Sequence, residues 1–179
     1  VSIVNPESGE TMRLPLPQFG AVVSNLPFVP FEMIPPDDAA CIAQTDFASD
    51  LDGRSDLYCH LAVKLADIIK PGGRLGIIVS NSWLGTLAGA KFMTALQRRY
   101  AIRQVHISGK GRWFRNADVV ATLLVLEKNS DTATSSDTDF WLWKKSLEEL
   151  AGDADAERTL VSSAILGREP DAAVATCAS

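Results

Sequence analysis

Asp56 to Ser80 reads DLYCHLAVKLADIIKPGGRLGIIVS, and this stretch decides the fold class. Leu57, Leu61, Leu65 and Ile68 recur at helical spacing, joined by Val63 and Ile69 and by the helix formers Ala62, Lys64 and Ala66. That spacing predicts an amphipathic helix. Asp56 stands where a side-chain cap belongs, with Ser55 as the alternative. Lys70–Pro71–Gly72–Gly73 then reads as a helix stop followed by a turn. Leu75–Gly76–Ile77–Ile78–Val79 reads as a strand apolar on both faces, as buried parallel strands are. Helix, turn and buried strand make half of an αβ alternation.

Working outward, Ala21–Val22–Val23 is a short apolar run that stops abruptly at Ser24–Asn25–Leu26–Pro27–Phe28–Val29–Pro30, a buried strand ending in a proline-rich turn. Pro35 to Asp56 is polar and acidic with little periodicity, and is expected to be a long mobile loop. Beyond the central stretch, Phe92, Leu96 and Tyr100 place a second helix over about Ala90 to Tyr100. Ile102 to Ile107 and Val119 to Leu126 read as two more strands, paired antiparallel through the loop between them. Asp131 to Asp139 is a Ser/Thr/Asp linker, Phe140–Trp141–Leu142–Trp143 is a short strand or the start of something else, and the tail after Gly152 says little. The expected division is a main domain over 1–128, a linker over 129–139 and a following segment over 140–179. The class is α/β, mostly parallel with an antiparallel last strand.

Composition bounds the rest. At 179 residues, 46% hydrophobic and 22% charged, the chain can bury a core, and collagen-like, disordered and disulfide-framework classes are excluded. No apolar run approaches the roughly 18 residues of a membrane span, so no membrane partner is expected. The chain opens at Val1 without a signal-peptide pattern, and is expected to be a piece of a larger protein. Cys41, Cys59 and Cys177 are odd in number, far apart and without a C-x-x-C pair, which fits reduced thiols in a cytoplasmic protein and no metal site. The net charge of −5 hides a split: eight basic residues face Asp118 and Glu127 between Lys91 and Lys128, while both flanks are acidic. A basic middle is either a phosphate-facing surface or a scatter of solvated side chains. Lys110, Arg112 and Arg115 form its one tight group.

Asn25–Leu26–Pro27–Phe28 lies just past the carboxyl end of a strand, where open α/β sheets bind ligands. Two readings fit the string. In one, Asn25 forms a turn and Phe28 plugs the core. In the other, the Asn25 side-chain oxygen and the Leu26 carbonyl accept the two hydrogens of an exocyclic amine, localising its lone pair toward an incoming methyl group. Pro27 would hold Leu26 extended and so aim its carbonyl, and Phe28 would offer a face for a flipped base.

The segment resembles the N/D/S-P-P-Y/F motif of the adenine amino-methyltransferases that act on DNA. The resemblance continues through Asp56–Leu57–Tyr58, Lys70–Pro71–Gly72–Gly73–Arg74–Leu75, Ser80–Asn81–Ser82–Trp83–Leu84 and Arg112–Trp113–Phe114 to Val119–Lys128. Over roughly Ala21 to Lys128 the chain is similar to the large type I and type II restriction-modification methyltransferases. This implies the C-terminal half of a Rossmann-like methyltransferase sheet, S-adenosylmethionine as donor and double-stranded DNA as partner. It also implies a cofactor-bordering position for Asp56 and, more loosely, Glu7 near an adenine-facing acid position, with Val1–Val4 as a remnant of the third strand. Lys110, Arg112 and Arg115 become candidates for DNA phosphate. Leu26 departs from the family, which has proline there; the carbonyl survives but some rigidity is lost.

A donor site of this fold needs a glycine-rich turn after the first strand, and none precedes Asn25. The chain is therefore expected to carry the substrate side without the donor-binding half or the target-recognition domain, and to be inactive alone. The strand ending at Asn25 would lose its usual neighbour, leaving an edge open to self-association. Two alternatives stand beside this reading: a non-catalytic DNA-binding or assembly module that kept the fold, and a methyltransferase acting on a glutamine amide in protein.

Overall fold

The structure is a computed structural model that describes residues 2–5, 7–13, 16–114, 119–130, 137–146, 149 and 175–178. In chain order its elements are β1 (Ser2–Val4), β2 (Thr11–Arg13), β3 (Phe19–Asn25), α1 (Pro36–Ala43), α2 (Leu57–Lys64), β4 (Ile69–Ser80), α3 (Leu87–Gln97), β5 (Tyr100–Ser108), β6 (Ala121–Lys128), β7 (Asp139–Trp143) and β8 (Ala175–Ala178). β1 and β2 pair only with each other, and the remaining strands form one six-stranded sheet in the order β3-β4-β6-β5-β7-β8. β3, β4, β5 and β7 run one way, β6 and β8 the other.

The core sits on one face of this sheet. Leu75, Ile77 and Val79 of β4 lie beside Leu124 and Leu126 of β6 and Ile102 and Val105 of β5, all buried. Over them pack Tyr58, Cys59, Ala62 and Val63 of α2 and Phe92, Ala95 and Leu96 of α3. The small residues Ala62 and Ala66 are fully buried, whereas Leu57 and Leu61 are half-exposed. The leucine stripe therefore flanks the contact, and the alanines let the helix approach the sheet closely. β4 is not buried on both faces as its apolar run suggested. Gly76 and Ile78 are half-exposed, because both helices cover the same side.

Four further expectations change. The Pro35–Asp56 segment contains α1, started by Pro36 with Asp37 and Asp38 in its first turn, favourable chemistry for a helix N-terminus. No residue of α1 is buried, so it carries no apolar period to read. Lys70–Pro71–Gly72–Gly73 is not a loop after a helix but an irregularity inside β4. The register jumps from Phe19 opposite Ile69 to Ala21 opposite Arg74, with Gly72 at φ +73°. The second helix begins earlier than expected, at Leu87, and Tyr100 belongs to β5, its hydroxyl donating to the Ala62 carbonyl at 3.2 Å. Finally, the sheet does not end near 128. β7 pairs parallel with β5 and β8 antiparallel with β7, so residues expected to open a separate segment extend the main sheet. The Val119–Leu126 strand is antiparallel to β5 as expected, and it lies between β4 and β5.

Val1–Val4 was expected to leave a remnant of the third strand. Instead Ser2–Val4 closes a hairpin with Thr11–Arg13, apart from the main sheet. Among the described residues no strand pairs with the outer edge of β3, where Val23 is 88% exposed.

On the face opposite the helices, His106 is buried at 7% exposure and stacks against Trp141 and Trp143 at 5.5 and 5.9 Å. Trp143 Nε1 donates to His106 Nδ1 at 3.2 Å, so Nδ1 is unprotonated, and His106 Nε2 reaches Gln104 Oε1 at 3.3 Å. Burial lowers the imidazole pKa to about 4, the nearby Asp139 acting weakly the other way.

Two outcomes follow from this packing. Ile77→Ala should lower unfolding free energy in urea by about 2–5 kcal/mol, whereas Val23→Thr should change it by less than about 0.5 kcal/mol. Because the folded-state pKa of His106 lies below its unfolded value, its contribution is present above about pH 6.5 and is lost as pH falls through about 4. Stability measured against pH should therefore fall less steeply over that window for His106→Gln than for the wild type, by up to about 3 kcal/mol.

Candidate active site

Parallel pairing brings Asn25 opposite Ile78, so β3 and β4 end at the same edge of the sheet. From there the chain runs into Leu26–Pro30, and β4 runs into a single turn of 3-10 helix at Asn81–Trp83. The Asn25 side chain is exposed and makes no hydrogen bond among the described residues. Leu26 N donates to the Ile78 carbonyl at 3.3 Å, while its own carbonyl accepts nothing among the described residues. The Leu26 side chain is 5% exposed and belongs to the core cluster. Leucine thus replaces the rigidity of a proline with anchorage. The loop is pinned from below by a buried side chain while Asn25 and Pro27 remain exposed and Phe28 half-exposed.

Asp56 occupies the N-cap position of α2 but does not cap it. Its Oδ1 accepts from Phe31 N at 3.2 Å and its Oδ2 accepts from the Ser82 hydroxyl at 3.1 Å. Forgoing the cap costs α2 about 1 kcal/mol, so the carboxylate is spent on joining two loops. Leu57 N donates to the Val29 carbonyl at 3.0 Å, a second tie between the start of α2 and the loop after β3. Tyr58 OH lies 3.1 Å from Ser82 Oγ. Since Ser82 donates to Asp56, Tyr58 donates to Ser82. Burial holds the Tyr58 phenol well above its usual range, so it remains a protonated donor. A cavity of about 220 Å³ lies beside this network, lined by Phe31, Glu32, Asp56, Ser82, Trp83 and Thr86 among others.

The turn carrying Ser82 and Trp83 is held by α3. Thr86 caps that helix, accepting from Gly89 N at 3.0 Å, and Trp83 packs edge-on against Phe92 at 6.4 Å. A Cβ on Gly89 would fall 1.7 Å from the Trp83 carbonyl oxygen, so only glycine permits this approach.

The basic middle of the chain divides. Lys91 pairs with Asp52 at 2.9 Å, Arg98 and Arg99 both pair with Asp50, and Arg103 makes a two-pronged contact with Glu127 at 3.0 and 3.2 Å. Lys128 donates to the Ala66 carbonyl at 2.8 Å. These charges hold the Ser49–Asp52 segment and the strand ends in place. Lys110 and Arg112 are exposed in the loop leaving the carboxyl end of β5, on the same sheet edge as Asn25. With strands about 4.8 Å apart, β5 lies roughly 14 Å from β3. Arg115 lies outside the described residues. Trp83 is a core residue, and Trp113 and Phe114 are half-buried. Glu7 sits in the exposed turn between β1 and β2, outside the main sheet, its N–H donating to Asn5 Oδ1 at 2.9 Å. Cys41 and Cys59 are free thiols; burial pushes Cys59 up to about 12. Among the described residues no cluster of His, Cys, Asp and Glu could hold a metal ion, and no helix is long and apolar enough to cross a membrane.

Sequence reading singles out Asn25–Phe28 and Asp56; in the structure Asp56 is tied to Phe31 and its neighbour Leu57 to Val29, just beyond Phe28 rather than to Asn25–Phe28 itself. It gave Ser82 and Phe31 no role. Ser82 was legible only as part of a resembling string, because nothing local tells a serine after one strand that it will meet a carboxylate 26 residues upstream.

The sheet order and the loop at its carboxyl edge define an S-adenosylmethionine-dependent methyltransferase fold. A solved class I S-adenosylmethionine-dependent methyltransferase from Listeria monocytogenes superposes with a TM-score of 0.63 at 18% identity, covering 85% of this chain and 43% of that one. Residues 16–114 match the Eco57I restriction-modification methylase family, and the chain belongs to it. Among curated relatives, the type II methyltransferase M.BanIII of Aneurinibacillus aneurinilyticus is 29% identical over 107 residues, 60% of this chain and 18% of the relative. The type II methyltransferase M.XhoI of Xanthomonas vasicola is 33% identical over 94 residues, 51% of this chain and 16% of the relative. The chain thus spans under a fifth of the length of either.

Helix propensity alone would make Gly89→Ala stabilising by about 0.5–1 kcal/mol. The contact with the Trp83 carbonyl reverses the sign, and urea unfolding should show a loss of about 1–3 kcal/mol. A stabilised variant would show that the turn at Trp83 does not sit against α3.

Proposed function

We propose that this chain is the substrate-side half of a DNA adenine methyltransferase, in which Asn25 and Leu26 hold the exocyclic amine of a flipped adenine. The observation that carries the reading is the pair of unused acceptors at the end of β3. The Asn25 amide and the Leu26 carbonyl are both without partners among the described residues, on a backbone anchored immediately on either side. The adenine amino nitrogen is a poor nucleophile because its lone pair is conjugated with the ring. Acceptors on both of its hydrogens draw that pair toward the incoming methyl carbon, and preorganised acceptors need no rearrangement as charge develops. Phe28, half-exposed one residue beyond Pro27, provides a stacking face for the base. Lys110 and Arg112, with Arg115, are assigned to DNA phosphate.

The donor in this reading is S-adenosylmethionine, which supplies an electrophilic methyl group. Among the described residues, neither of the two that the family resemblance points to is placed to hold it. Both Asp56 oxygens already hold partners, and Glu7 lies in the separate hairpin. Asn25, Leu26 and Phe28 act on the methyl acceptor alone. The open edge of β3 is assigned to a further strand or a second copy of the chain, and the location to the cytoplasm.

Transfer of labelled methyl from S-adenosylmethionine to double-stranded DNA by the full-length protein tests the reading. Asn25→Ala should reduce kcat by about 10²–10³-fold with donor affinity unchanged, with label on the adenine amino group, and the 179-residue chain alone should give no turnover. Transfer to a glutamine amide, or donor-independent DNA binding without transfer, would overturn it.

A further inference from the structure

The loop that carries Asn25 contains Pro27 and Pro30, which donate no backbone hydrogen bonds, and it has few ties of its own. From Leu26 to Phe31 its backbone is fastened outward at three points. Leu26 N donates to Ile78 of β4, Val29 accepts from Leu57 N, and Phe31 N donates to Asp56. Two of the three converge on the first residues of α2, and the second oxygen of Asp56 reaches Ser82, beyond the end of β4. Ser82 is itself located by Tyr58 and by its own N–H, which donates to Ser80 Oγ at 3.1 Å. A relay of oriented hydroxyls, Tyr58 to Ser82 to Asp56, therefore connects the core to the backbone of the Asn25 loop, and such relays strengthen each bond along the chain.

We propose that Tyr58, Ser82 and Asp56 form a positioning strap that sets the Asn25–Phe28 loop against the end of β4. All three are positioning residues; none is assigned contact with the substrate. The inference rests on the reading above for what is positioned, but the strap is a statement about this chain's own contacts. A cap would turn the carboxylate into its own helix and leave the loop tied to the start of α2 only through Leu57, with Leu26 still held by Ile78. Ser82 is the informative member, since among the described residues its hydroxyl alone links the carboxylate to the turn after β4.

In the full-length protein, Ser82→Ala should lower kcat for DNA methylation about tenfold, the scale of a small misplacement of reacting groups, with the donor Kd unchanged. Ser82→Thr, which keeps the hydroxyl, should restore most of the loss. Amide exchange at Phe31 should quicken in Ser82→Ala and return to the wild-type rate in Ser82→Thr. An unchanged kcat in Ser82→Ala would overturn the strap. So would a fall in kcat matched by weaker donor binding, which would put this segment in the donor site. If the wild type transfers no methyl to DNA, the function assigned above fails instead. Exchange at Phe31 then decides the strap by itself: quickened in Ser82→Ala it stands, unchanged it is overturned.

Discussion

The parallel pairing of β3 with β4 is the constraint on which the site depends. Parallel strands end at the same edge, so the loop after Asn25 and the turn after Ser80 emerge side by side, although more than fifty residues separate them in sequence. An antiparallel arrangement would have placed these loops at opposite ends. Parallel neighbours require a crossover, here the segment holding α1 and α2. Its return into β4 is what brings Asp56 to the same edge. The unused acceptors at Asn25 and Leu26 are a product of this geometry, because the ladder stops where the chain turns away.

Around that edge, charge serves architecture more than recognition. In sequence the basic stretch from Lys91 to Lys128 reads either as one surface or as a scatter of solvated side chains. In three dimensions Lys91, Arg98 and Arg99 turn toward Asp50 and Asp52, and Arg103 toward Glu127. Exposed pairs of this kind contribute little each. Their use here is to fasten the segment before α2 to α3, so that both ends of the crossover are held. Lys110 and Arg112 stand apart from these pairs, exposed in the loop beyond β5.

The two faces of the sheet are unequal. One is closed by α2 and α3 over Ile77, Leu124 and Val105. On the other, Gly76 and Ile78 are half-exposed and Val23 is exposed, while further along His106 is buried in a cluster with Trp141 and Trp143. Among the described residues no strand pairs with the outer edge of β3, and the chain spans under a fifth of the length of its curated relatives.

The sequence by itself determined the alternation of helix and strand, the position of Asn25–Phe28 after a strand, and the antiparallel partnership of the last two strands it identified. Each is a local or periodic signal: an apolar run, a proline, a helical spacing. It could not reveal α1, none of whose residues is buried, or the irregularity at Pro71–Gly73, whose composition also suits a helix exit. Only tertiary structure decided that β6 enters between β4 and β5, that β7 and β8 prolong the sheet, and that Leu26 is buried beneath the loop. It also decided that Asp56 holds two loops instead of capping one helix. Those outcomes depend on which strands and loops become neighbours across long separations, and a side chain's partner at such a distance leaves no mark on the residues beside it.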